Sequence, residues 1–292
     1  MGEYSIKDLE KLSGIKAHTI RIWEKRYDII TPGRTDTNRR RYTDEDLRKL
    51  INISILTRSG FKISMIASMS PHDIEDKVSI ISQDIEQYDN QIESLIIAMI
   101  NLSERDFNDL INRYFINMGF EDTFSNILFP FLERVGVLWV TGSISPAQEH
   151  FISNLVRQKL ISTIDSLIPR KINNKLKVLL FLPENELHEI GLLFYTYLAK
   201  KNGHETLYLG PKTPIDSIAK AIKIWPADIL VTGTSSEFSG VVKEELIERL
   251  SKSFKNHKII ISGLLIPDSG VKLPGNVHSA KTADEFVQLI KN

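Results

Sequence analysis

The residue types best suited to chemistry stand in the string ELHEIG, Glu186–Gly191. His188 follows the apolar run VLLFLP (Val178–Pro183) and opens an amphipathic stretch, which places it at a strand-to-helix turn. In open α/β sheets, ligands bind at that edge, beyond the carboxyl ends of the strands. A neutral imidazole there can ligate a transition metal. A second group lies in VGVLWVTGSISPAQEH (Val135–His150), where a Gly- and Pro-containing turn separates Trp139 from the adjacent Glu149 and His150. Two such polar neighbours at a helix start cannot both be buried without partners. Taken alone, the string reads as a core tryptophan beside an exposed polar pair.

Near the N-terminus the chemistry is of another kind. Ser5 with Asp8 three positions on marks a helix start, and Ile6, Leu9 and Leu12 form its apolar stripe. Gly14 interrupts the pattern, which Ile20 and Trp23 resume in a second helix, Ala17–Tyr27. Two short helices across a tight turn make a helix-turn-helix. The second would turn His18, Thr19, Arg21 and Lys25 outward, types that hydrogen-bond base edges and phosphates. The following loop, Thr31–Thr43, carries Arg34, Arg39, Arg40 and Arg41 with Tyr42, and fits a wing gripping the phosphate backbone.

The elements between and beyond these groups follow from periodicity. Thr43 caps a helix reading LRKLINISIL (Leu47–Leu56), closed by Gly60. From Ile81, apolar residues recur at Ile85, Tyr88, Ile92, Leu95 and Met99, a heptad-like seam. The seam is short, and apolar helical segments follow at Phe107–Met118, Phe124–Leu138 and Ala147–Ile168, so a small bundle is expected ahead of a dimer coiled coil. From Lys175, strands at Lys177–Leu182, Glu205–Leu209, Ile229–Gly233, Lys258–Ile261 and Val277–Ser279 alternate with helices at His188–Lys201, Pro214–Trp225, Val241–Phe254 and Thr282–Lys291. The chain therefore reads as multidomain α and α/β. A winged helix-turn-helix spans 1–74, a helical bundle 75–172, and a Rossmann-like, flavodoxin-sized doubly wound parallel sheet 173–292.

Composition narrows the chemistry. The chain has no cysteine, which excludes disulfides, zinc-thiolate sites and iron–sulfur clusters. No GxGxxG follows the first strand, against a dinucleotide site. Residues 1–74 carry 14 Lys and Arg against 10 Asp and Glu, whereas 75–174 carry 8 against 14, so a polyanion partner suits the first segment only. No signal peptide and no membrane-length apolar run is visible, so a cytoplasmic protein without membrane contact is expected. No nucleophile–base constellation suggests an enzyme.

Two resemblances sharpen this picture. HTIRIWEKRYDIITPGRTDTNRRRYT (His18–Thr43), with its TIRxWExR core and RRY wing, resembles the winged-helix head of the MerR family of transcription regulators. That resemblance makes Thr19, Arg21, Arg26, Arg40 and Tyr42 the foremost DNA contacts, flanked by His18, Arg39 and Arg41. Arg26 braces the wing in an alternative reading. It also implies a homodimer on a near-palindromic promoter site in double-stranded DNA. Glu186-x-His188-x-x-Gly191 resembles the DxHxxG motif of cobalamin-binding domains. There the histidine is the lower cobalt ligand, and the acid bonds its other nitrogen, fixing the tautomer. The W-x9-EH spacing of Trp139, Glu149 and His150 is similar to the cap over the corrin's upper face. Thr234 and Ser235, with Ser236, are the candidates for the tail-binding serine, and Gly263-Leu264 corresponds to the family's Gly-Gly.

The whole order is similar to the cobalamin-dependent MerR regulators of the CarH/LitR type. It implies a non-enzymatic, sequence-specific DNA-binding transcription regulator, repressor or activator, whose assembly, as homodimer or tetramer, or DNA binding is set by cobalamin, adenosylcobalamin foremost. The chain departs from the pattern in three places. Glu186 replaces Asp, Leu264 stands at the tail channel, and Val140 occupies the position where light-sensing members carry a histidine. A regulator that has kept the fold but lost the cofactor, sensing another ligand or partner, is the alternative. A corrinoid carrier for methyl transfer is a further one, against which the winged helix argues.

Overall fold

A computed structural model of the chain describes residues 4–34, 40–81, 88–140, 142–168, 175–234, 243–267 and 271–291. The chain divides into two compact units, Met1–Leu155 and Val156–Asn292.

The first unit begins with α1 (Ile6–Ser13), whose start and stop are written in the sequence. The Ser5 hydroxyl accepts the Asp8 N–H while the Asp8 carboxylate accepts the Ser5 N–H, a reciprocal cap. Gly14 ends the helix at φ 71°, a left-handed conformation that glycine adopts without Cβ cost. Helix α2 (Ala17–Tyr27) follows, then the antiparallel pair β1 (Gly33–Arg34) and β2 (Arg40–Arg41), and α3 (Asp44–Arg58), started by a second reciprocal cap of Thr43 and Asp46. Leu9, Leu12, Ile20, Tyr42, Leu47 and Leu50 are fully buried. Each such side chain contributes about 1.5–3 kcal/mol by leaving water.

The bundle continues through α4 (Ile63–Ile66), α5 (Pro71–Ile81), α6 (Tyr88–Ile100), α7 (Glu104–Met118), α8 (Phe120–Thr123), a π-helical turn (Phe124–Leu128), α9 (Phe129–Val140) and α10 (Pro146–Asp165). Ile92, Leu95 and Met99 of the expected seam are buried inside this unit, and Tyr88 is exposed. Ile85 lies outside the described residues. The segment expected as one helix, Phe124–Leu138, is divided by the π-helical turn, which inserts a residue and rotates the faces on either side of it.

The second unit is a parallel sheet with strand order β4-β3-β5-β6-β7. Its elements run β3 (Lys177–Phe181), α11 (Ile190–Lys201), β4 (Glu205–Gly210), α12 (Ile215–Ile224), β5 (Ile229–Thr234), α13 (Lys243–Ser253), β6 (Lys258–Gly263), β7 (Val277–Ala280) and α14 (Ala283–Lys291). Leu179, Phe181, Leu230, Ile259 and Ile261 pack with Ile218, Leu246, Leu250 and Phe254 in one buried cluster. On α11 and α14, the Tyr195 and Phe286 rings lie 4.5 Å apart. From β3 the chain goes first to β4 on one side and then to β5 on the other. The carboxyl ends of β3 and β5 therefore flank the switch point, where such sheets bind ligands. Among the described residues, no helix is long and apolar enough to cross a membrane.

Candidate cobalamin and DNA sites

In the α/β unit, the β3–α11 loop holds His188. The expected helix start at His188 is displaced, since α11 begins only at Ile190. The cause is Glu186, which is 1% exposed and folds back on its own loop. Its Oε1 accepts the N–H groups of Leu187 and His188, each at 2.8 Å, and lies 2.7 Å from His188 Nδ1. An ionised carboxylate only accepts, so Nδ1 carries the proton and the lone pair is on Nε2. That is the tautomer a metal-ligating histidine needs, with its second nitrogen held by a carboxylate. The ring itself stays largely exposed. The residues present thus fit a cobalt ligand.

The rest of the motif sits around that loop. A Cβ added at Gly191 would meet no protein atom within 4 Å. Gly263 ends β6 at φ 63°, and a Cβ there would stand 2.4 Å from the Thr234 carbonyl oxygen. Thr234 is buried at the end of β5, and its carbonyl accepts the Leu264 N–H at 2.7 Å. The Leu264 side chain is 39% exposed. Ser235 and Ser236 lie outside the described residues.

One residue of this loop carried no clear signal in the sequence. Glu189, next to His188, is the N-cap of α11. Its side chain is 12% exposed, receives Arg157 Nε of α10 at 2.5 Å, and accepts the Tyr208 hydroxyl of β4. A glutamate at the polar start of a helix ordinarily looks like a solvated cap, so the pattern alone does not single it out.

In the first unit, Trp139 is 51% exposed near the end of α9, beside the exposed Val137, and so is not the core residue its apolar run suggests. Glu149 and His150 open α10. His150 Nδ1 lies 2.9 Å from Glu149 Oε2, and Ser153 donates to Glu149 Oε1 at 2.6 Å. An exposed tryptophan and a prearranged acid–imidazole pair are polar and aromatic groups presented outward rather than consumed in packing.

The winged-helix head presents His18, Arg21 and Arg26 on the exposed side of α2, with Thr19 half-buried. The Arg26 guanidinium lies 5.4 Å from the centre of the Tyr27 ring. From the wing, Arg40 Nε meets Glu24 Oε1 of α2 at 3.0 Å, while Arg41 is exposed and Arg39 lies outside the described residues. Tyr42 departs from expectation. It is fully buried, its backbone bridges to Tyr4, and its hydroxyl lies 3.3 Å from Glu24. Burial, and then the Glu24 carboxylate, push its hydroxyl up to a pKa of about 12. Tyr42 therefore supports the wing from behind and offers DNA no surface. Replacing it by Phe should leave DNA affinity within about twofold. Replacing the exposed Arg21 by Ala should cost about 1–3 kcal/mol if it reads a base, as seen in an electrophoretic shift assay at fixed salt.

This head is bolted to the bundle by charge. Glu93 of α6 is 1% exposed and pairs with Arg58 at the end of α3 and, at 3.7 Å, with Arg134 of α9. Arg134 also donates to the carbonyl of Leu12, in the last turn of α1. Burial raises the Glu93 carboxyl pKa against the pull of both arginines.

Comparison with known proteins gives this geometry its class. Residues 4–72 match the MerR HTH family regulatory protein, and residues 91–161 match the B12 binding domain. The chain thus carries one segment similar to MerR-type regulators and a second similar to B12-binding domains. Its relatives include the HTH-type transcriptional repressor CarH of Myxococcus xanthus, 28% identical over 86% of this chain and 85% of that protein. CarA, an HTH-type transcriptional repressor of the same organism, is 24% identical over 82% of this chain and 81% of that protein. Among solved structures, the Methanosarcina barkeri monomethylamine corrinoid protein matches 70% of this chain and 98% of its own, with a TM-score of 0.52 at 16% identity, a likeness of fold.

Proposed function

We propose that the chain is a sequence-specific transcription repressor, without enzymatic activity, whose assembly or hold on DNA is set by a bound cobalamin. The observation that carries this is the Glu186–His188 pair, which holds the imidazole in its metal-ligating tautomer at the switch point of the sheet. A bound cobalamin would supply a cobalt with an exchangeable ligand. His188 would hold that cobalt through its imidazole, and Glu186 fixes the ring. Gly191, Gly263 and Thr234 border the loop and strand ends that would receive the rest of the molecule, and Ser235 is a tail contact by the resemblance alone. Trp139, Glu149 and His150 form the cap residues, by their resemblance to that motif. His18, Thr19, Arg21, Arg26, Arg39, Arg40 and Arg41 form the DNA surface.

The working protein is a homodimer or tetramer on a near-palindromic site, in the cytoplasm, with domains at 1–74, 75–172 and 173–292. Regulation requires that the ligand bind one assembly more tightly than the other. Coupling of about 1–3 kcal/mol gives a 5–150-fold change in DNA affinity.

The test is the visible spectrum of the purified chain, incubated with adenosylcobalamin in the dark and desalted. The expected result is retained corrin absorbance in a base-off, His-on form, lost in His188→Ala. A colourless wild-type protein overturns the cofactor, and an unchanged His188→Ala spectrum overturns the ligand role.

A further inference from the structure

We propose that Arg157 and Glu189 are positioning residues for the lower cobalt ligand, clamping the peptide that follows His188 so that the imidazole stays on the metal. The proposal rests on the reading of His188 as that ligand.

His188 is fixed from both sides of its own chain. On one side Glu186 holds its ring and its N–H. On the other, Glu189 is drawn between two elements distant in sequence, α10 through Arg157 and β4 through Tyr208. Its two carboxylate oxygens are divided between them, Oε1 to the guanidinium and Oε2 to the phenol. Its own carbonyl accepts the Leu193 N–H at 2.9 Å, the first helical bond of α11. Burial raises the Tyr208 hydroxyl pKa, and Glu189 adds to the effect, so the phenol remains a donor. A mostly buried carboxylate costs free energy unless it is paired and hydrogen-bonded. A solvated helix cap needs neither the burial nor the two partners.

What the clamp achieves follows from where it acts. Metal ligation by a loop histidine is opposed by the freedom the loop loses on binding. Prepaying that order strengthens the bond. Arg157 also stands eight residues after Glu149 on one continuous helix, about 12 Å along its axis.

The experiment loads full-length protein with cob(II)alamin at one fixed pH and records its electron paramagnetic resonance spectrum. With the cofactor's own benzimidazole labelled in 15N, an axial protein imidazole splits the cobalt signal into triplets and the cofactor's base into doublets, so the triplets report the His-ligated fraction. In Glu189→Gln and in Arg157→Gln, corrin retention after desalting should persist, while the ratio of ligated to unligated cobalt falls about tenfold, or 1.4 kcal/mol. The double variant should fall no further than Glu189→Gln alone, because the Arg157 contact is already lost in that variant. Tyr208→Phe, which is milder on folding, should shift the ratio in the same direction by less. Unchanged triplets in Glu189→Gln or in a well-folded Tyr208→Phe protein overturn the clamp. Absence of triplets in the wild type overturns the His188 reading itself, and the clamp with it.

Discussion

Arg134→Ala is expected to destabilise the first unit by about 3 kcal/mol, and to do so from a position that touches neither DNA nor any proposed cofactor residue. Removing one partner of a buried ion pair costs about 3–5 kcal/mol, because the remaining charge stays out of water. Glu93 is the group left behind, buried on α6. Arg58 still faces it, which sets the estimate at the lower end. The substitution also strips the Leu12 carbonyl of its donor at the end of α1, where helix carbonyls lack intrahelical partners. In thermal denaturation followed by circular dichroism, the transition of this unit should fall by roughly 6–12 °C. The double variant Arg134→Met with Glu93→Leu should recover much of the loss, since the buried carboxylate leaves with Arg134 and the Arg58 left behind is part-exposed to water. An unmoved transition in Arg134→Ala would mean that the cluster is a bystander. The cluster lies where the helix-turn-helix head meets the bundle, on the helix that carries Trp139 five residues later. Loosening it should therefore weaken the link between any event at the cap and DNA binding.

None of that cluster was legible in the sequence, and the reason is physical. Arg58, Glu93 and Arg134 are 35 and 41 residues apart, and each alone looks like an ordinary charge on an amphipathic helix. Periodicity reports which face of a helix is apolar, not which distant charge crosses to meet it. The α/β unit was far more open to reading. Runs such as VLLF and KIIIS, bounded by turn residues, place the starts of β3, β5 and β6 at their observed residues, because strands buried on both faces write themselves as continuous apolar runs.

Failures came where a side chain bonds its own backbone or changes face. Glu186 delays α11 by taking two N–H groups that a helix cap would otherwise engage. Tyr42 stands among the arginines of the wing, yet a loop has no periodicity to say which of its residues turns inward. The π-helical turn before α9 displaces its faces, and Trp139 emerges outward from a run, VGVLWV, that looks uniformly suited to a core. The candidate ligand loop was found by spacing. Glu189 was found only through its contacts.

Gly263→Ala should cost the α/β unit about 3 kcal/mol or more, whereas Leu264→Ala, one residue on, should change stability by less than about 0.5 kcal/mol. The contrast comes from backbone and not from side-chain size. Gly263 sits at φ 63°, where an L side chain costs about 1–2 kcal/mol on conformation alone. Its new Cβ would also press to 2.4 Å on the Thr234 carbonyl oxygen, backbone that cannot swing aside without parting β5 from β6. That same carbonyl accepts the Leu264 N–H, so the displacement removes a bond worth about 0.5–1.5 kcal/mol as well. Leu264 contributes only a half-exposed side chain. Denaturant titration of the two variants separates these costs. Corrinoid retention then tells whether Leu264 obstructs the tail. Leu264→Gly should hold adenosylcobalamin more tightly than wild type if the leucine narrows the channel, and equally if the exposed side chain lies clear of it. A Gly263→Ala protein as stable as wild type would show that the β5–β6 edge yields more readily than its strand pairing implies.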